Sequence, residues 1–204
     1  MQAGKNHWDN VYDLKKQNEV SWFQTYPTTS FEYVEALSLP RDAAILDVGG
    51  GDSVFAEALL DKGFTNIWVL DISQSAIEKA KERLGEKSSR IHWIITDILE
   101  FVPPVKFALW HDRAAFHFLT TEDSINQYIT LAEKTVQPNG HLIIATFSEN
   151  GPQKCSGLAV TQYSENKLTK RFSRCFRKLK CKTEDHITPF NTRQNFLFCS
   201  FEKV

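Results

Sequence analysis

What most restricts the fold of this chain is a repeated unit: a short continuous apolar run, a turn, then a helical pattern. The first copy is "AAILDVG" (43–49) followed by "VFAEALLDKG" (54–63), where Gly63 stops the helix. An unbroken apolar run of this length reads as a strand covered on both faces. "NIWVLDIS" (66–73) is the next strand, and Ser73 caps the helix "QSAIEKAKERLG", which closes at Gly85. Two more strands follow, "IHWIITDI" (91–98) and "KFALWHD" (106–112). A helix from Glu122 to Val136 then stops at "QPNG", ahead of the strand "HLIIATF" (141–147). Strands alternating with helices imply a mostly parallel sheet with helices on both faces, an α/β chain.

The tail breaks the alternation. "FRKLKCKTED" and "QNFLFCSFEKV" are β-like runs separated by the turn-rich "HITPFNTR", which predicts an antiparallel hairpin closing one sheet edge. At the front, "NHWDNVYDLKKQ" has helical spacing of Trp8, Val11 and Tyr12, and "EVSWFQTYP" reads as an aromatic loop. With 204 residues and 42% apolar side chains the chain suits one domain with a sizeable core. Its 24 basic and 25 acidic residues nearly cancel, so no global field draws it to nucleic acid. The eight basic groups of 167–182 are interleaved with apolar residues, which favours a solvated helix face and strand edge over an RNA-binding surface. No run approaches the roughly 20 apolar residues of a membrane span, and the amino terminus has no apolar core of a secretory signal. Cys155, Cys175, Cys181 and Cys199 show no C-x-x-C spacing and are expected as reduced thiols in a cytoplasmic protein.

"LDVGGGDS" sits where the first strand turns into the first helix, the place where such sheets bind ligands. Glycines there let the backbone turn tightly and approach a ligand. Asp71 ends the second strand, twenty residues after Gly51, and its carboxylate offers two acceptors to the vicinal hydroxyls of a ribose. Both NAD and S-adenosylmethionine carry that ribose. Aligning Gly49 and Gly51 to a dinucleotide fingerprint puts Val54 where the third glycine belongs. Asp52 would also stand where a pyrophosphate needs to bind, an unfavourable pair of like charges. S-adenosylmethionine has no phosphate and carries two positive centres, so Asp47 and Asp52 are tolerable or helpful. At the end of the third strand, Asp97 can accept from an adenine amino group while Ile98 packs on the ring; a turn-capping role for Asp97 is the plainer reading.

With those residues in hand the chain resembles a class I S-adenosylmethionine-dependent methyltransferase over nearly its full length. "ILDVGGGDS" is similar to that family's first motif, with Ser53 in place of its usual third glycine; "VLDIS" resembles the second and "TDI" the third. "VQPNGHLIIATF" and the terminal hairpin resemble the later strands. The resemblance implies a Rossmann-like seven-stranded sheet of order 3-2-1-4-5-7-6, the last strand antiparallel, in a single domain spanning 1–204. It also implies donor contacts from Asp47, Gly49, Gly50, Gly51, Asp52, Asp71, Ile72, Asp97 and Ile98.

"LWHDRAAFHFLT" (109–120) ends the fourth strand, which in this fold lies beside the transferable methyl. Methyl transfer is an in-line displacement that needs the acceptor held close and water kept out, with a base only if the acceptor arrives protonated. Arg113 is the candidate for attracting an anionic or thiolate acceptor, and His111 or His117 the candidate proton acceptor. Structurally, Asp112 would cap the next turn; no third ligand stands at recognisable spacing to make the cluster a metal site. "LWHDRAAF" is similar to a stretch of thiopurine S-methyltransferase-like proteins whose arginine lies in the substrate pocket, and Trp8, Trp22 and Phe23 resemble the lid (1–35) those enzymes fold over the donor, with 36–204 as core. This likeness implies substrate contacts from Asp112, Trp22 and Phe23. The loop "SENGPQKCSGLAVTQY" should border the same pocket. The expected function is methyl transfer to a small molecule, with a thiol leading. Protein lysine methylation by the same fold, a NAD-dependent reductase, and a donor-sensing protein without catalysis are the alternatives.

Overall fold

The computed structural model describes residues 4–204. Seven strands form one sheet in the order β3-β2-β1-β4-β5-β9-β8: β1 (Ile45–Val48), β2 (Ile67–Asp71), β3 (Ile91–Ile95), β4 (Phe107–Arg113), β5 (Val136–Phe147), β8 (Phe176–Ile187) and β9 (Arg193–Lys203). The first five pair in parallel, while β9 runs antiparallel to both β5 and β8. Counting the sheet's strands in chain order, this is the expected 3-2-1-4-5-7-6 with the last strand reversed. A two-residue pair, β6 (Lys154–Cys155) and β7 (Leu158–Ala159), stands apart in the loop after β5.

Helices cover both faces, as buried strands require. On one face α5 (Glu122–Thr135) and α6 (Glu165–Phe172) pack Tyr128, Leu168 and Phe172 against Trp110, Phe116 and Phe201. On the other, α2 (Thr28–Ala36) and α3 (Phe55–Asp61) pack Phe31, Val34, Phe55 and Leu59 against Ile45, Leu109 and Phe198. The sequence reading missed α2: "TTSFEYVEA" opens on two threonines and is buried on several sides, so it shows no clean apolar stripe.

The front helix α1 (Lys5–Leu14) docks on α4 (Gln74–Leu84). Ser73 caps α4 through Ala76 N, and Asp9 accepts at the same end from Ser73 Oγ (2.8 Å) and Ser75 N (3.2 Å). A carboxylate at a helix N-terminus meets unpaired N–H groups and a favourable dipole. Lys79 answers by donating to the carbonyls of Tyr12 and Lys15 at the far end of α1.

One expectation is revised. Cys181 and Cys199 form a disulfide, because the β8–β9 register sets them directly opposite; only Cys155 and Cys175 are free thiols. The basic run spends its charge on surface acids: Lys167 on Glu149, Arg171 on Glu122, Arg174 on Glu133, Lys178 on Glu165 and Lys182 on Glu32. Such exposed pairs contribute little each, but they leave less free positive charge on this surface. No helix among the described residues is long and apolar enough to cross a membrane.

A buried polar chain under α5 gives a direct stability test. Trp110 Nε1 donates to Tyr128 Oη (2.8 Å), which donates to Asp112 Oδ2 (2.6 Å). Tyr128→Phe should cost about 1–3 kcal/mol by stranding both partners. Burial pushes Asp112 up to about 6, above its unfolded value, so the fold loses stability as pH rises through 6 and Asp112 ionises. Without the phenol hydroxyl that ionisation costs more, so urea denaturation should show a larger loss at pH 8 than at pH 5.

Candidate active site

Two joined cavities open at the carboxyl ends of β1, β2 and β4, where parallel strands leave a crevice. The first is lined by Val48, Gly49, Asp71, Ile72, Asp97 and Ile98 from the sheet side and by Trp8, Tyr12 and Trp22 from the front segment. The second reaches Asp47, Gly50, Asp52, Phe55 and His111, under Trp22, Phe23 and Ser30. Tyr12, Trp22, Gly49 and Arg113 belong to both and mark the joint.

The glycine turn is shaped by close approach. A Cβ on Gly50 would lie 2.4 Å from Asp47 Oδ2, and one on Gly51, whose φ is +36°, would lie 2.8 Å from Asp71 Oδ2. Larger residues would fill the space in which two carboxylates face the turn. Asp71 Oδ1 accepts from Ser73 N at 2.8 Å. Burial, with Asp47 nearby, pushes Asp71 up to about 7. Asp47 Oδ2 is buried without a partner. Asp97 does both things expected of it, capping Leu99 N through Oδ1 (2.9 Å) while lining the first cavity. Asp52 lines the second cavity, yet its Oδ1 is held by Arg83 Nη2 at 3.1 Å, which ties the turn to α4.

Strand geometry corrects the reading of "WHDR". Successive strand residues point to opposite faces. His111 and Arg113 therefore share the cavity face, and Asp112 points to the α5 face with Trp110. There Asp112 is fully buried and accepts from Ala115 N (2.9 Å), Phe116 N (3.1 Å) and Tyr128 Oη, so it braces the turn and cannot touch a substrate. His117 is also corrected. It is fully buried, lines neither cavity, accepts from Phe147 N at 3.3 Å, and is pushed down to about 3 by burial and by Arg113. A ring with so little affinity for a second proton and no route to the cavity is not an acceptor's base.

His111 lines the second cavity, but both ring nitrogens are taken. Nδ1 lies 2.7 Å from Asp47 Oδ1 and Nε2 lies 2.9 Å from Ser30 Oγ, with the ring stacked on Phe55. As a freestanding base it is therefore unavailable. Arg113 is different. Its Nη1 donates to the Trp22 carbonyl (3.1 Å) and its guanidinium lies over Phe196, but Nε and Nη2 are shut off from solvent without partners. Burial lowers its pKa to about 10, which leaves it charged at neutral pH. A desolvated cation with unused donors favours an anionic or electron-rich neighbour.

Sequence reasoning missed Tyr12, Ser30 and Phe118, all of which line the cavities, while the loop after β5 borders the first cavity as expected. Tyr12 had a signal, one helical turn after Trp8 on α1; Ser30 had none. Cys155 arrives from the loop after β5, and burial pushes its thiol up to about 11, so it stays protonated.

Ligand binding here should follow Asp71. Its ionised form is the acceptor for ribose hydroxyls and attracts positive charge, so affinity for a cationic nucleoside should be full above pH 7. It should then weaken by about tenfold per unit as pH falls below 7, which calorimetric titration at several pH values would measure.

Residues 45–140 match a family model described as a methyltransferase domain. The chain is 26% identical over 157 residues to zebrafish (Danio rerio) EEF1A lysine methyltransferase 2, a match covering 70% of this chain and 67% of that protein. It is 28% identical over 107 residues to malonyl-(acyl-carrier protein) O-methyltransferase 2 of Ilyobacter polytropus, covering 52% of this chain and 40% of that one. The chain thus spans between two fifths and two thirds of these relatives. Among solved structures, the N-methyltransferase NodS of Bradyrhizobium japonicum, in complex with S-adenosyl-L-homocysteine, has a TM-score of 0.72 over 98% of both chains at 18% identity.

Proposed function

We propose that this chain, a class I S-adenosylmethionine-dependent methyltransferase, carries a methyl group to a small-molecule nucleophile, with a thiol as the leading acceptor. The donor suits the residues present: Asp71 and Gly51 for its ribose, Ile72, Asp97 and Ile98 for its adenine, and the unpartnered Asp47 Oδ2 for its ammonium. When bound, it supplies a sulfonium-activated methyl group.

The chain's own work is positioning. Trp8, Tyr12 and Trp22, carried by the front segment, close over the first cavity and keep water from it. Arg113 at the joint orients an electron-rich acceptor and stabilises it as a thiolate. The observation that carries the reading is this incompletely paired guanidinium at the joint of the two cavities, beside a His111 that offers no free ring nitrogen. An acceptor that loses its proton easily suits such a site; a lysine ammonium, with an ordinary pKa near 10.4, suits it less. The likeness of "LWHDRAAF" to thiopurine S-methyltransferase-like proteins supports the same choice.

A protein lysine is the second reading, favoured by the name of the zebrafish relative. Turnover of S-adenosylmethionine to S-adenosylhomocysteine, measured with small thiols, small amines and lysine peptides in parallel, separates them. Thiol turnover supports the proposal, and turnover with lysine peptides alone overturns it. Calorimetry with NAD in place of the donor tests the reductase alternative.

A further inference from the structure

Ser30, His111 and Asp47 form an unbroken buried chain across three elements: Ser30 Oγ to His111 Nε2 at 2.9 Å, and His111 Nδ1 to Asp47 Oδ1 at 2.7 Å. All three are at most 2% exposed, and all three line the second cavity. The chain ends at Asp47 Oδ2, which is buried, has no partner, and lies against the glycine turn.

The chemistry of each link fixes the next. An ionised carboxylate only accepts, so Nδ1 must carry the ring proton. In the neutral ring Nε2 is then the acceptor, and Ser30 is the donor that fills it. Ser30 Oγ has no other hydrogen bond among the described residues. Remove that donor and Nε2 is left buried without a partner, so only Asp47 and the stack on Phe55 hold the ring. A ring that turns carries its Nδ1 donor away from Asp47, and the carboxylate loses the bond that stops it from rotating. A hydrogen bond at the remote nitrogen orients a metal-binding histidine in the same way.

We propose that Ser30 is a positioning residue for the donor: through the orientation of the His111 ring it holds Asp47 with Oδ2 aimed at the donor's ammonium group. This rests on the donor reading above. It gives α2, which touches none of the donor motifs in sequence, a say in donor affinity. His111 accordingly serves to orient Asp47 and does not take the acceptor's proton.

The test is calorimetric binding of S-adenosylmethionine to the full chain, which requires no acceptor, together with nitrogen-15 NMR of the His111 ring. In the wild type the ring should show Nδ1 protonated and Nε2 bare. Ser30→Ala should weaken donor binding about tenfold and move the His111 Nδ1 proton upfield as its bond to Asp47 weakens. Ser30→Thr, which keeps a hydroxyl, should restore both. A wild-type chain that does not bind the donor would overturn the donor reading and this proposal with it. Normal binding in both the wild type and Ser30→Ala would overturn the positioning role alone. Weakened binding with an unshifted Nδ1 proton would also overturn it, since Ser30 would then be acting on the donor directly.

Discussion

Asp71→Asn is expected to raise the donor's dissociation constant by at least ~100-fold while leaving the fold intact or firmer. Two charge-assisted hydrogen bonds to a ribose contribute about 1.5–3 kcal/mol each, and the amide replaces one acceptor with a donor. The effect on the fold has the opposite sign. The Asp71 carboxyl is pushed up to about 7 by burial, well above its unfolded value. A group raised in the folded state costs stability as pH rises from its unfolded pKa through its folded one, so the wild type loses that increment between about pH 4 and pH 7. Asparagine does not titrate. The variant's melting temperature, taken relative to the wild type's, should therefore rise from pH 5 to pH 8. Paired calorimetry and thermal melts check both halves. Retained donor affinity would show that Asp71 does not hold the ribose.

Arg113→Met is expected to lower kcat/KM for a thiol acceptor about 100-fold, with donor affinity within about threefold of the wild type. Methionine keeps much of the bulk over Phe196 and removes the charge and both unused donors. Loss of a thiolate's counter-charge returns the acceptor thiol to its protonated form. The fold should hold or gain, because an unpaired buried cation is costly. Faster methylation of a lysine peptide by this variant would overturn the thiol reading, since it would mean that Arg113 had been repelling the acceptor.

The architecture was legible because it follows from local patterns. Unbroken apolar runs alternating with helical ones leave a parallel sheet as the solution, and Ser73, Gly63 and Gly85 punctuate it where cap chemistry requires. The donor side was legible for a related reason. Its residues sit at strand ends and in one tight turn, so spacing along the chain translates into position in space. On the acceptor side that translation failed within three consecutive residues. "HDR" reads as one cluster, but the strand's two-residue period sends Asp112 to α5 and leaves His111 and Arg113 at the cavity.

The sequence by itself therefore determined the sheet, its reversed last strand, and the turn with its acids. Each of these depends on neighbours in the chain or on a regular period. Only the tertiary structure decided what the ionisable groups can do. His111 is occupied by Ser30, 81 residues away, and by Asp47, 64 residues away. His117 is silenced by burial, and Arg113 is left with donors to spare. Proton affinity and hydrogen-bonding capacity depend on which atoms crowd a group and how much water reaches it, and those are set by contacts between distant segments.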